Sequence, residues 1–139
     1  GWGMQAVEGL LKWGCPTTDV FPEASRNRSL ADTPEVKASA ALHSIVKFEE
    51  IESNNFDACI SALLDPINPA CGVSTAFNYW RHLVFACQPC WHRTKGWGFV
   101  IQNSWGAKYG DQGRKELYGS KAIAHEMIVV RSAKVKAEG

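Results

Sequence analysis

Residues 98–113, GFVIQNSWGAKYGDQG, limit what this chain can fold into more than any other stretch. An apolar strand, Phe99-Val100-Ile101, runs into Asn103-Ser104-Trp105-Gly106. Tyr109-Gly110-Asp111 and Gly113 follow. A strand end calls for Asn or Gly, because these residues accept the backbone angles of a turn. It does not call for a Trp directly after an Asn-Ser pair. A plain strand with a Gly-rich loop accounts for the glycines and leaves the indole unexplained.

The rest of the chain supplies a framework. Ala6, Leu10 and Trp13, with Val7 and Leu11, recur at helical spacing, and Gly14 suits the residue after a helix. Residues 15–19 form a turn, and Phe21-Pro22 points a ring toward the core. Residues 23–42 are polar and aperiodic and are expected to be a surface excursion. Residues 43–52 alternate as a strand, with Ile45, Phe48 and Ile51 inward. Ser53-Asn54-Asn55 is a cap cluster for a helix bearing Phe56, Ile60, Leu63 and Leu64, which Asp65-Pro66 stops. Strands are expected over 71–77, 83–87, 98–102, 115–118 and 127–130, with a polar turn at 92–97 and a fraying polar tail.

These features resemble papain-like cysteine peptidases. Asn103, Trp105, Gly106, Tyr109, Gly110, Asp111 and Gly113 match that family's N-S-W-G-x-x-[WY]-G-[ED]-x-G segment without a gap. Gly1, Ala6, Gly14 and Phe21-Pro22 match its helix-opening Gly, helix and aromatic-Pro pair. His82-Leu83-Val84 resembles its H-A-V strand, with the bulkier Leu83 in place of Ala and Cys90-Trp91 in place of Gly-Tyr. The resemblance covers nearly the whole chain but only the second half of the family's fold. It implies an α+β architecture: the sheet-rich, barrel-like antiparallel C-terminal half of a papain-like fold, preceded by one helix. The domain would be partial, with residues 1–22 from the first lobe, 43–131 as the sheet-rich lobe and 132–139 as a tail.

The resemblance also implies roles. Such chemistry needs a thiolate nucleophile, a His that exchanges its proton, and a group that holds the His ring. His82 would be the base, because it opens a strand beside the one leading to Asn103. His43, His92 and His125 lack that setting and read as ordinary surface or core residues. Asn103 would orient His82, and Trp105 would shield their bond from water. Gly1 would pair its backbone with substrate, while Trp2, Leu83 and Val73 would line a side-chain pocket. Ordinary helix packing is the plainer account of Trp2.

The family's nucleophile segment, Q-x-x-x-C-G-x-C-W, is not found in these 139 residues. Residues 71–77, CGVSTAF, echo it with Ser74 at the nucleophile position, but Val73 and Thr75 favour a strand. Cys87-Gln88-Pro89-Cys90 with His92 nearby could be half a zinc site. It lacks a second pair, so a disulfide or two plain thiols is the simpler expectation. Five cysteines leave at least one unpaired within the chain. Cys59 sits in an apolar helical pattern and reads as a small core residue.

Two functions follow. The first is the His/Asn-bearing portion of a cysteine peptidase, partnered by a polypeptide that supplies the N-terminal lobe and its Cys, and acting on peptide or protein substrates. The second is a non-catalytic structural or assembly subunit descended from such a peptidase. A binding module without peptidase ancestry would not explain matches at both ends of the chain. No cofactor or metal is implied. A net charge of +1 with scattered Lys and Arg argues against a phosphate-driven nucleic-acid binder. No apolar run approaches membrane-spanning length. The first residues have no basic leader or initiator Met, so a processed or trimmed start is expected.

Overall fold

The computed structural model describes residues 2–22, 25–68, 70 and 72–135. In chain order the elements are helix α1 (Trp2–Trp13), the short α2 (Arg28–Ala31), α3 (Pro34–Leu42), strand β1 (His43–Ile51), α4 (Phe56–Leu64), β2 (Gly72–Phe77), β3 (His82–His92), β4 (Gly96–Gln102), β5 (Arg114–Tyr118), a 3₁₀ turn (Gly119–Ala122) and β6 (Glu126–Val135). The strands form one sheet in the order β1-β6-β2-β3-β4-β5. The chain divides into two compact units, residues 1–47 with 132–139, and residues 48–131.

In the first unit α1 ends as its sequence predicts. Gly14 takes φ +79°, and a Cβ there would strike the Ala40 carbonyl. The Cys15 N–H then donates to the His43 carbonyl at 2.7 Å. Residues 25–42 correct the expected excursion, because they are largely helical. The Thr33 hydroxyl accepts the Val36 N–H, Pro34 opens α3, and Glu35 sits in its first turn. Those are start signals that need no amphipathic stripe. Val36 and Ala40 are the buried residues of α3, too few to show a period. Glu23 and Ala24 lie outside the described residues.

The second unit holds the core. Val73, Thr75 and Phe77 on β2 pair with Ala86, Val84 and His82 on β3. Phe99, Ile101, Leu117, Met127 and Val129 extend this buried face across the neighbouring strands. Helix α4 covers it with Cys59, Ile60 and Ala62, and Phe56 stacks on Phe99 at 6.0 Å between ring centres. The Asn55 side chain caps α4 by accepting the Ala58 N–H at 3.0 Å. Thr75 is fully buried, and its hydroxyl is satisfied by the Val84 carbonyl at 3.1 Å.

The β3–β4 hairpin is longer than expected. Trp91 faces Trp97, and His92 faces Gly96, so the turn contracts to residues 93–95. Between Ala86 and Gln88 the register slips by one residue, so Cys87 is the extra residue of a bulge. β6 runs through Val135 rather than stopping at 130, while residues 136–139 lie outside the described set. No helix among the described residues is long and apolar enough to cross a membrane.

Candidate active site

His82 opens β3 directly after the turn at residues 78–81. That turn closes with the Trp80 N–H on the Phe77 carbonyl, and it puts Arg81 at φ +48°. Asn103 follows the last residue of β4. Since β3 and β4 are adjacent and antiparallel, the two side chains meet: His82 Nε2–H donates to Asn103 Oδ1 at 2.8 Å. This bond fixes the ring's proton on Nε2 and leaves Nδ1 as the ring's acceptor.

Asn103 is 4% exposed, so the bond lies largely away from water. Trp105 stacks on the imidazole with ring centres 4.8 Å apart and planes 20° apart, while remaining 54% exposed itself. Its outer face therefore stays open to solvent. Trp80 meets both rings edge-on, 5.6 Å from His82 and 5.6 Å from Trp105. Tyr109 meets Trp105 edge-on at 5.2 Å. Trp80 has no place in the sequence reading. It sits in a turn, where neither a helical nor a strand period marks a buried face, and its position two residues before His82 was the available clue.

The loop carrying Asn103 is held by backbone. The Asn103 N–H donates to the Gly113 carbonyl at 2.9 Å, and the Gly113 N–H donates to the Tyr109 carbonyl at 2.9 Å. The Gln102 amide nitrogen donates to the carbonyls of Asn103 and Gly113, both at 3.3 Å. Arg114 Nε donates to Gln102 Oε1 at 3.1 Å. Gly110 and Gly113 take φ +55° and +82°, and a Cβ on Gly110 would strike the Arg114 carbonyl. Only glycine meets both demands at Gly110. Among the described residues, Asn103 Nδ2 and the Tyr109 hydroxyl are buried polar atoms without a hydrogen-bond partner.

The remaining candidates divide. Leu83 is 44% exposed and pairs with Ala76, whereas Val73 pairs with Ala86 and is fully buried. Paired residues share a face and alternate residues switch faces, so Leu83 and Val73 lie on opposite sides of the sheet and do not line one surface. The exposed residue beside Leu83 on its own side is Phe85. Trp2 opens α1 in the first unit, and Gly1 lies outside the described residues.

Among the described residues Cys15, Cys59, Cys87 and Cys90 are thiols, so the Cys87/Cys90 pair is not bridged. Cys71 lies outside that set. Burial pushes the Cys59 thiol up to about 11. Burial also raises Cys90, against a smaller opposing effect of its hydrogen bond to Tyr118. Both are protonated at neutral pH and poor nucleophiles. Cys87 and Cys90 lie further along the strand that His82 opens; at ~3.3 Å per residue they are roughly 17 and 26 Å from it. No group of three or more His, Cys, Asp or Glu among the described residues could hold a metal ion.

Compared by sequence, the chain matches no family model and no curated protein. Solved structures do resemble it. The digestive procathepsin L2 proteinase from the larval midgut of Tenebrio molitor aligns with a TM-score of 0.69 and 15% identity, over 93% of this chain and 46% of that one. The bromelain protease of Ananas comosus, solved with the E64 inhibitor, aligns with a TM-score of 0.69 and 16% identity, over 98% of this chain and 70% of that one. This chain thus spans under half of the procathepsin and about two thirds of bromelain. The fold is papain-like, and the sheet-rich architecture matches the C-terminal half of that fold.

Proposed function

We propose that this chain is the His/Asn-bearing portion of a papain-like cysteine peptidase. The observation that carries this reading is the part-buried 2.8 Å bond between His82 Nε2–H and Asn103 Oδ1, with Trp105 stacked on the imidazole. That bond leaves Nδ1 free to take a proton. In this reading the thiol comes from another polypeptide segment, because the family's nucleophile motif has no match among these 139 residues and Cys59, Cys87 and Cys90 are buried, distant or held protonated.

His82 Nδ1 accepts the thiol proton, and the thiolate attacks the scissile carbonyl carbon. The imidazolium returns that proton to the departing amine as the C–N bond breaks, leaving a thioester. Water then attacks the thioester, giving its proton to Nδ1 and releasing the acid and the thiol. Asn103 keeps the ring's tautomer and orientation through both halves. By the resemblance, Leu83, which follows His82 in the chain and is exposed on the outer face of β3 with Phe85 beside it, is the specificity residue of this reading. Donors for the developing oxyanion belong to the same segment as the thiol.

The test uses the complex as isolated from its native source, treated with an epoxysuccinyl thiol-protease label and weighed intact. A labelled second polypeptide, or a labelled extension of this one, is the expected result. His82→Ala in that complex should lower kcat/KM by ~10³-fold or more, and Asn103→Ala by less. A complex without adduct, or a His82→Ala variant of unchanged activity, overturns the reading in favour of a non-catalytic subunit.

A further inference from the structure

Three lysines far apart in sequence converge on one concavity of the second unit. Lys95 comes from the β3–β4 turn, Lys115 from β5, and Lys121 from the 3₁₀ turn. The concavity has a volume of about 510 Å³, and Tyr79, Trp80 and Tyr118 contribute aromatic walls. It lies outside the His82–Asn103 pair, but the two share Trp80. That ring lines the concavity and also meets the His82 imidazole edge-on at 5.6 Å.

All three lysines are exposed, and two of them rest against aromatic rings. Lys95 Nζ sits over the Tyr118 ring at 5.2 Å, and Lys115 Nζ over the Tyr109 ring at 5.9 Å. Cation–π contacts of this length hold an ammonium near a ring face. The Tyr79 hydroxyl donates to the Lys121 carbonyl at 3.0 Å, tying the turn that carries Lys121 to the aromatic wall. Glu116 is the one carboxylate among the described lining residues, and the Tyr118 hydroxyl donates to it at 2.8 Å. The lining therefore carries three positive charges against one negative charge. Like charges gathered in a concavity focus their field there and favour a counter-anion.

The geometry points to a binding site for a compact polyanion, a small organic molecule bearing two or more phosphate or sulfate groups, with its carbon skeleton against Trp80 and its anionic groups on Lys95, Lys115 and Lys121. A single monovalent anion would leave the charge uncompensated. The aromatic walls give a ring-bearing ester an advantage over a bare ion. An occupant would press on Trp80 and hence on the edge of the His82 ring, which makes the site a means of tuning that ring. This inference does not rest on the proposed peptidase function.

The full chain, labelled with ¹⁵N, is titrated at fixed ionic strength with sodium tripolyphosphate and, separately, with a sulfated disaccharide. The expected result is a saturable shift of the Trp80 indole N–H with at least one probe. The tighter of the two identifies phosphate or sulfate as the ligand's group. Lys115→Ala combined with Lys121→Ala should weaken the response at least tenfold, and Glu116→Gln should strengthen it severalfold. Arg93→Ala, which removes a charge outside the concavity, should change it less than twofold. No saturable shift with either probe at millimolar concentration overturns the site, as does equal affinity in the double lysine variant.

Discussion

His82 and Asn103 are held by two neighbouring segments built on different principles. The Asn103 loop is a backbone device. Its glycines take left-handed angles, its carbonyls accept from its own N–H groups, and the Gln102 amide bonds two of those carbonyls. The turn before His82 is a side-chain device. It is four residues long, holds Arg81 at positive φ, and depends on the Trp80 ring wedged against His82 and Trp105. A backbone mesh is rigid and unforgiving of substitution, whereas ring packing tolerates some replacement at a graded cost.

That contrast can be broken by experiment. Gly110→Ala should have the largest effect. It combines left-handed strain of about 1–2 kcal/mol with a clash that parts the Asp111–Arg114 bridge, for a total near 3 kcal/mol in denaturant unfolding. Gly106→Ala sharpens the point, because its Cβ would meet nothing within 4 Å. There strain alone remains, about 1 kcal/mol. Equal losses at the two glycines would mean that the mesh around Gly110 carries nothing.

Trp80→Leu comes next, with a stability loss of roughly 1–2 kcal/mol, since the ring is half-buried and a Leu retains part of its contact. Its distinguishing readout is a displaced His82 ring-proton resonance, with the Gly113 and Asn103 amides unmoved. A shift spread through the loop amides would show that both segments depend on the same packing. The smallest effect belongs to Asp65, whose carboxylate ends α4 by accepting the Ile67 and Asn68 N–H groups, both at 3.0 Å. The Asn68 and then the Ile67 bond hold its carboxyl below the ordinary 3.8, with Arg131 adding a smaller pull. A depressed folded-state value means stability that is present above 3.8 and lost as pH falls below it. Asp65→Asn should flatten the stability–pH curve in that acid range and leave both site segments unchanged.

The same contrast explains what could be read from the residues. The Asn103 loop was legible because backbone devices demand particular amino acids at fixed positions, and glycine at positive φ leaves a spelling. His82 was legible through its strand and through Asn103. Trp80 was not, because edge-to-face packing between residues of different segments has no period along the chain. Helices α2 and α3 were missed for a related reason. Their starts are set by Asn27 and Thr33 caps and by Pro34, while the face they bury is small. The Cys87 bulge left no mark either, since one inserted residue shifts a register without changing composition.

The strand order also has a bearing on how this chain behaves at high concentration. β5 lies at one end of the sheet, where an unpaired margin can recruit a strand from another molecule. Here that margin is five residues long and begins Arg114-Lys115-Glu116, all exposed. A second chain adding itself there would have to desolvate two cations and a carboxylate for a very short ladder. The same Lys115 that faces the concavity thus acts as a gatekeeper against fibre growth, and replacing these three residues with valines would convert a closed boundary into a template for aggregation.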